Sequence, residues 1–267
     1  MSNLHIIPTG GLCNRMRVMA SGVYLAQKYG RTAIIHWNNT KGLRADFCQL
    51  FMTQMPADTM LIENRNWLYR IDSTVQFLLR FPLLKCRSQV IYNYNRYSNG
   101  NFSDNSNFQV GKDYTLVGCN SLDQHYNLRK LFKPTDSIQN RINIITSQFA
   151  SNTIGIHIRR TDNIQSIKLS PLEAFIQKIN EEIMQDNSVK FYLASDDEEV
   201  KQRLMKLFRD RIITHTDKLE RDSLEGMCIA VVDLFCLSKT RKIIGSDYSS
   251  YSNIAAELGD IPIEFAR

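Results

Sequence analysis

The sequence predicts an α/β protein made of two Rossmann-like halves, each a parallel sheet with helices, facing each other across a cleft. Three observations predict it. A strand, a glycine turn, a helix and a second strand open the chain. The same alternation resumes after residue 150 with greater regularity. The polar residues of the second half gather where its apolar strands end, which is where open α/β sheets hold their ligands. The division this suggests is residues 1–150 and residues 151–267.

The first half begins with a short apolar strand, Leu4 to Pro8. Thr9-Gly10-Gly11-Leu12-Cys13-Asn14 follows as a glycine turn, and Arg15 to Tyr29 as a helix. The helix stripe Met16, Met19, Ala20, Val23 and Tyr24 recurs close to the helical period. Gly30 stands in the C-cap place, and Thr32 to Trp37 reads as the next strand. Two strands joined through a helix imply parallel pairing and a right-handed crossover. The middle is less regular. Arg70 to Leu84 has helical spacing at Ile71, Val75, Leu78 and Leu79. Asn93 to Asn107 is rich in Asn, Ser, Tyr and Gly, a loop composition. Thr115 to Gly118 reads as a strand and Leu128 to Phe149 as helix-rich.

The second half opens on Thr153 to Ile158, an apolar strand that ends in Arg159-Arg160-Thr161-Asp162. Ser170-Pro171 has the form of an N-cap followed by proline at the first helical position. The helix it opens aligns Leu172, Phe175, Ile176, Ile179 and Ile183 on one face. Strand Val189–Ala194 ends in Ser195-Asp196-Asp197, and helix Glu198–Phe208 follows. Strand Arg211–Thr214, helix Ser223–Ser238, strand Lys242–Gly245 and helix Ser249–Leu258 complete a doubly wound half.

Composition narrows the function classes. The 267 residues are 43% hydrophobic and 22% charged, an ordinary globular balance. No apolar run reaches the roughly 18 residues of a spanning helix; the best, Met227 to Leu237, is broken by Asp233. The N-terminus lacks the charged and apolar regions of a signal peptide. Cys13, Cys48, Cys86, Cys119, Cys228 and Cys236 show no paired metal spacing, which fits reduced thiols in a cytoplasmic protein. No motif suggests a built-in metal site. The net charge of +6 is uneven: residues 1–150 carry seventeen Lys and Arg against eight Asp and Glu, residues 151–267 sixteen against nineteen. Arg65, Arg70, Arg80, Lys85, Arg87 and Arg96 crowd one stretch. Such a basic half attracts an acidic acceptor or an anionic membrane surface, or is simply a solvated face. Nucleic acid is disfavoured as a partner, because the basic stretch lacks the interleaved aromatic motifs of known readers.

A buried strand cannot carry Arg159 and Arg160 inside it, so both belong at its end. Two guanidiniums on a rigid strand make a grip for a phosphate or pyrophosphate; the alternative reading is a surface ion-pair cluster. Three polar clusters lie at strand ends: His157 to Asp162, Ser195-Asp196-Asp197, and Ser246 to Tyr251. An aspartate accepts two N–H donors of the kind a guanine edge presents, and the helix opened by Ser249 and Ser250 offers its N-terminal amides to phosphate. Taken singly, Asp196 and Ser249 read as helix caps and His157 as a core histidine. Gly10 and Gly11 occupy a turn common to any βαβ unit, and Asn14 and Arg15 either contact a ligand or cap the helix.

Together these residues resemble a known family. His157-Ile-Arg-Arg-Thr-Asp162 is similar to the first signature of the α1,6-fucosyltransferases and nodulation fucosyltransferases, which are related to the α1,2-fucosyltransferases. Tyr192-Leu-Ala-Ser-Asp-Asp197 resembles their second signature. Asp222 to Gly226 through Asp233, then Asp247-Tyr-Ser-Ser250, resembles the third. Gly10-Gly-Leu-Cys-Asn-Arg-Met16 resembles the N-terminal glycine loop of the α1,2 branch. The likeness covers residues 1–37 and 151–258. It implies a GT-B-like fold with an acceptor-side first half and a donor-binding second half. It implies GDP-fucose as donor, a glycan or lipid-linked saccharide as acceptor, inversion at the sugar carbon, and no required cofactor or metal. It places Arg159 on the β-phosphate with Arg160 in support. His157, Asp196, Asp197, Ser249, Ser250, Tyr251, Gly10 and Gly11 fall in the nucleotide-sugar motifs, and Asp162 and Asn14 are candidates for the chemistry. A small bacterial-type cytoplasmic enzyme, peripheral to the inner membrane face, fits this picture.

The chain departs from the α1,6 pattern after Asp162. There the family carries a lysine and a glutamate used in acceptor handling, whereas Asn163-Ile-Gln-Ser-Ile-Lys168 offers neither at matching places. The acceptor base is thus open: Asp162 either serves as base or only orients an arginine. Another GDP-sugar donor, or a non-catalytic nucleotide-sugar-binding protein, are the rival readings.

Overall fold

The computed structural model describes residues 2–40, 42–64, 88–93, 108–109, 111–123, 125–215 and 222–267. The helix expected over Arg70–Leu84 and the basic residues Arg65, Arg70, Arg80, Lys85, Arg87 and Arg96 lie outside them, as does the loop expected over Asn93–Asn107 except for Asn93, which ends a strand. The chain forms two compact units, Met1–Thr135 with Arg221–Met227, and Asp136–Glu220 with Cys228–Arg267. The helix Asp136–Thr146 thus goes with the second unit, ahead of the division expected at residue 150.

In the first unit, β1 (Asn3–Pro8) leads through α1 (Leu12–Lys28) to β2 (Thr32–Asn38). The helix begins three residues earlier than its apolar stripe suggests, because Gly11 takes the N-cap position in an extended conformation. Gly30 then reverses the chain with φ +59°, the left-handed conformation that glycine adopts without steric cost. β2 alternates buried and half-buried residues, with Ala33, Ile35 and Trp37 inward, the period of a strand. A one-turn helix α2 (Phe47–Leu50) precedes β3 (Thr59–Asn64), and β4 (Ser88–Asn93) and β5 (Asp113–Gly118) complete the sheet. Its order is β3-β2-β1-β5-β4, all parallel. Short helix α3 (Leu128–Leu131) follows.

The second unit holds α4 (Asp136–Thr146), β6 (Ile154–Ile158), α5 (Ile164–Leu169), α6 (Leu172–Gln185), β7 (Phe191–Ser195), α7 (Glu198–Phe208), β8 (Ile212–Ile213), α8 (Leu224–Leu237, which begins in the first unit's segment), β9 (Ile243–Gly245), α9 (Ser250–Gly259) and β10 (Ile263–Phe265). The sheet order is β10-β9-β6-β7-β8, again all parallel. Every residue of β6 and β7 is buried, as expected of central strands covered on both faces. The α6 stripe behaves as its spacing requires: Phe175 and Ile179 are buried against Ile154, Ile156 and Leu193, with Leu172, Ile176 and Ile183 packed at the edge. Truncating Phe175 to Ala removes about 3–5 kcal/mol.

Strand order reverses between β6 and β9 in this sheet, and between β1 and β5 in the other. Such switch points open a crevice at the carboxyl ends of the strands. Both sets of sequence-predicted residues lie at these ends.

Candidate functional site

At the β6/β9 switch point the strands pass directly into polar loops. Ser246, fully buried, stitches them together: its N–H donates to the His157 carbonyl at 3.0 Å, and its Oγ accepts the Arg159 N–H at 2.9 Å. Asp196, at the end of β7, organises the arginine loop. Its Oδ1 accepts the Arg160 N–H at 2.7 Å, and its Oδ2 accepts the Thr161 hydroxyl at 2.7 Å and lies 3.3 Å from Arg159 Nε. Asp197, next in sequence, caps α7 by accepting the Val200 N–H at 3.2 Å. The cap expected at Asp196 therefore belongs to Asp197, and Asp196 is an organiser of the loop.

The two arginines have different environments. Arg159, its side chain 18% exposed, pairs with Asp162 as well as Asp196. Arg160 lies over the Phe175 ring at 5.9 Å and donates weakly to the Arg159 carbonyl. Burial lowers the Arg160 pKa, opposed by Asp196, Asp197 and Glu173. Arg159 makes the direct ion pairs, with Asp162 and Asp196, while Arg160 feels Asp196, Asp197 and Glu173 at longer range. Asp162 is half in solvent and pairs with Arg159.

His157 is buried beneath this loop. Its Nδ1 meets Ser252 Oγ at 2.7 Å, and its ring stacks on Tyr251 with centroids 4.7 Å apart. Burial, reinforced by Arg159 and opposed by Asp196 and Asp233, lowers its pKa from 6.5 to about 4. It is neutral at physiological pH. Tyr251 anchors to α8 through its hydroxyl, which donates to the Ala230 carbonyl at 2.5 Å. Ser249 is the N-cap residue of α9, yet its side chain makes no cap hydrogen bond; the cap expected there is absent, and the first-turn amides of Ser250 onward have no partner within the helix. Ser170, expected to cap α6, instead accepts the Asp247 N–H at 2.9 Å, and Pro171 takes the N-cap position.

Sequence reasoning passed over a buried polar chain behind this site. Asp233 Oδ1, on α8, accepts the Tyr192 hydroxyl at 2.5 Å and lies 2.7 Å from His215 Nε2. Burial and Asp233 raise the Tyr192 and Cys236 pKa values. The signal available was Asp233 itself, a charge inside an otherwise apolar helix.

Gly10, Gly11 and Asn14 belong to the first unit. Gly10 has φ +81°, and a Cβ there would meet Asn14 Nδ2 at 2.9 Å. Asn14 lies inside the first turn of α1, where its Oδ1 accepts from Arg17 at 2.9 Å. Arg17 also donates to the Cys119 carbonyl and to Asn120 Oδ1, so it ties β1's turn to the end of β5. Arg15 is structural: 2% exposed, it donates to the Gly10 and Asn38 carbonyls and the Thr40 hydroxyl, and burial lowers its pKa to about 10. Among the described residues no cluster of three or more His, Cys, Asp or Glu is placed to hold a metal ion. The five described cysteines form no disulfide.

No protein-family model and no curated protein sequence matches the chain. Solved structures do. NodZ α-1,6-fucosyltransferase soaked with GDP-fucose superposes with a TM-score of 0.64 at 19% identity, covering 96% of this chain and 92% of that one. The chain has the fold of the NodZ-type fucosyltransferases. NodZ from Bradyrhizobium itself gives 0.59 at 19% identity over 95% and 92% of the two chains. A mutant of Arabidopsis thaliana FUT1 in complex with GDP gives 0.65 at 15% identity, over 99% of this chain and 70% of that one. The NodZ-type fold agrees with the GT-B-like α/β architecture that the sequence predicts, with a parallel sheet in each half. At these identities it is the backbone that is alike.

Proposed function

We propose that the protein is an inverting, metal-independent glycosyltransferase that moves fucose from GDP-fucose to a hydroxyl of a glycan or lipid-linked saccharide. The second unit binds the donor and the first serves the acceptor. The observation that carries this reading is the convergence, at the β6/β9 switch point of a NodZ-type fold, of Arg159, the Asp196-organised loop and the first turn of α9.

In a single displacement the acceptor hydroxyl gives its proton to a base, for which Asp162 is the candidate in this loop, and its oxygen attacks the fucosyl anomeric carbon. The bond to the β-phosphate oxygen breaks, and its electron pair leaves with GDP. Negative charge grows on the diphosphate. Arg159 presents a guanidinium, and the α9 amides present partial positive charge. Both are held before the reaction, so little reorganisation is needed, and removal of one such group typically costs about 10²–10³-fold in rate. His157, kept neutral by burial, supports the loop without adding charge.

Purified protein, GDP-fucose and a panel of glycan acceptors test this by GDP release, with NMR of the product reading inversion and EDTA testing metal independence. Arg159→Ala should lose turnover by about 10²–10³-fold; full activity in that variant refutes the role of Arg159. Competition by other GDP-sugars separates the donor alternatives. GDP binding with neither transfer nor hydrolysis would instead favour the non-catalytic reading, whose support is the missing glutamate in the loop after Asp162. No helix among the described residues is long and apolar enough to cross a membrane. We place the enzyme in the cytoplasm, with its basic N-terminal half meeting anionic membrane surfaces; vesicles with and without acidic lipid test that contact.

A further inference from the structure

The segment that departs from the α1,6 pattern is not a loop. It is α5, and each of its ends holds the loop after β9. At the N-terminal end, Asn163 Oδ1 accepts the Ser166 N–H at 3.2 Å, while Nδ2 of the same side chain donates to the Tyr248 carbonyl at 3.0 Å. At the C-terminal end, Ser170 donates its N–H to the Ser166 carbonyl at 3.0 Å, and its buried Oγ accepts the Asp247 N–H at 2.9 Å. One short helix thus fastens two consecutive backbone groups of another loop.

That loop needs fastening. Tyr248 has φ +55°, a left-handed conformation that disfavours any residue with a Cβ. Asp247 Oδ1 accepts the Tyr248 N–H at 2.8 Å, and Oδ2 receives Arg267 Nε at 2.9 Å. Strained backbone persists where its surroundings over-determine it. Here the surroundings are Asn163, Ser170 and Arg267, and what the strain sets is the direction in which the chain enters α9 at Ser250.

We propose that Asn163 and Ser170, joined by α5, are positioning residues that hold the 246–249 loop and aim the first-turn amides of α9 at the donor diphosphate. This rests on the donor-site reading given above. α5 mechanically links the arginine loop after β6 to the loop after β9, the two strands flanking the switch point. In this chain the segment serves donor alignment, not acceptor handling.

Asn163→Asp keeps the oxygen that caps α5 and removes the N–H donor to Tyr248. Ser170→Ala removes the acceptor of the Asp247 N–H. Calorimetric titration of the full chain with GDP, steady-state GDP release from GDP-fucose, thermal melting and amide exchange at residues 247–250 are read together. Each variant should weaken GDP by about 2–10-fold, the range of one neutral hydrogen bond, and lower kcat/KM for GDP-fucose by at least as much, since the same amides meet the charge that grows on the diphosphate. Amide exchange at 247–250 should quicken. The double variant should lose less than the product of the two, because both act on one loop. Wild-type GDP affinity and kcat/KM in both variants, with only melting lowered, would mean that the contacts merely stabilise the fold and would overturn the proposal. If Ser170→Ala does not fold, Asn163→Asp, at an exposed bond, decides. If the wild type does not bind GDP, the donor-site reading itself fails and this inference with it.

Discussion

Acid should loosen the second unit through one buried imidazole. In the folded chain the His157 pKa is about 4, burial being the leading cause, whereas in the unfolded chain it returns to the ordinary 6.5. Above pH 6.5 both states are neutral here and the histidine costs nothing. As the pH falls from 6.5 towards 4 the unfolded state takes up a proton that the folded state refuses, and stability drops. The full difference is about 3 kcal/mol at about 1.4 kcal/mol per pKa unit, and below pH 4 it no longer changes. Two measurements check it. The imidazole of His157, assigned by its loss in His157→Gln, should titrate by NMR near pH 4. Urea denaturation of the two proteins between pH 7.5 and 4 should show wild type losing about 3 kcal/mol more than the variant, since glutamine cannot take the proton. An NMR midpoint near 6.5, or equal pH slopes for both proteins, would refute the argument.

Gly245→Ala would place a Cβ 2.6 Å from Ser252 Cβ and Oγ; we expect about 1–3 kcal/mol of destabilisation and a disturbed His157 titration, since Ser252 is its hydrogen-bond partner. Asp233→Ala strips an acceptor from the buried Tyr192 hydroxyl and from His215; thermal melting should report a loss of about 1–3 kcal/mol, and Asp233→Asn, which keeps an oxygen there, should lose less.

Where the sequence was legible, one physical constraint dominated. Arg159 and Arg160 cannot be buried in a strand, so the end of β6 was readable from charge alone. The α6 stripe and the largely apolar β7 were readable from period and length. Regions that resisted reading lacked such a constraint. β3 exposes Met60 and Ile62, so it shows no clean alternation, and β10 and α5 are too short for a period. Asp196 and Asp197 are adjacent, and sequence alone assigned the cap one residue early; only the 36-residue separation bridged by Asp196 and Arg160 reveals which is which. Ser170, Ser246 and Ser252 look like ordinary caps and helix residues, because their roles depend on backbone groups distant in the chain. The glycine turn was legible as a turn, but Asn14's bond to Arg17 was not, since Arg17 reads as a surface residue of the helix.

The charge balance around Arg159 leads to a last prediction. Its guanidinium is shared by Asp162 and Asp196. A diphosphate reaching Arg159 must displace or share with one of them. Asp196 is 10% exposed and bound to the Arg160 amide and the Thr161 hydroxyl, while Asp162 is 54% exposed. Asp162 is therefore the carboxylate that yields, and it competes with the phosphate. An exposed ion pair of this kind contributes about 0.2–1 kcal/mol, so Asp162→Asn should bind GDP about 1.5–5-fold more tightly by calorimetry, with the gain shrinking as salt screens the pair. Asp196→Asn should bind GDP less tightly, because it unfastens the loop that carries Arg159. Tighter binding with turnover lost in Asp162→Asn would give that carboxylate a second role in the transfer step. Weaker GDP binding in Asp162→Asn would show that the ion pair prepares Arg159 for the phosphate, and the competition argument would be wrong.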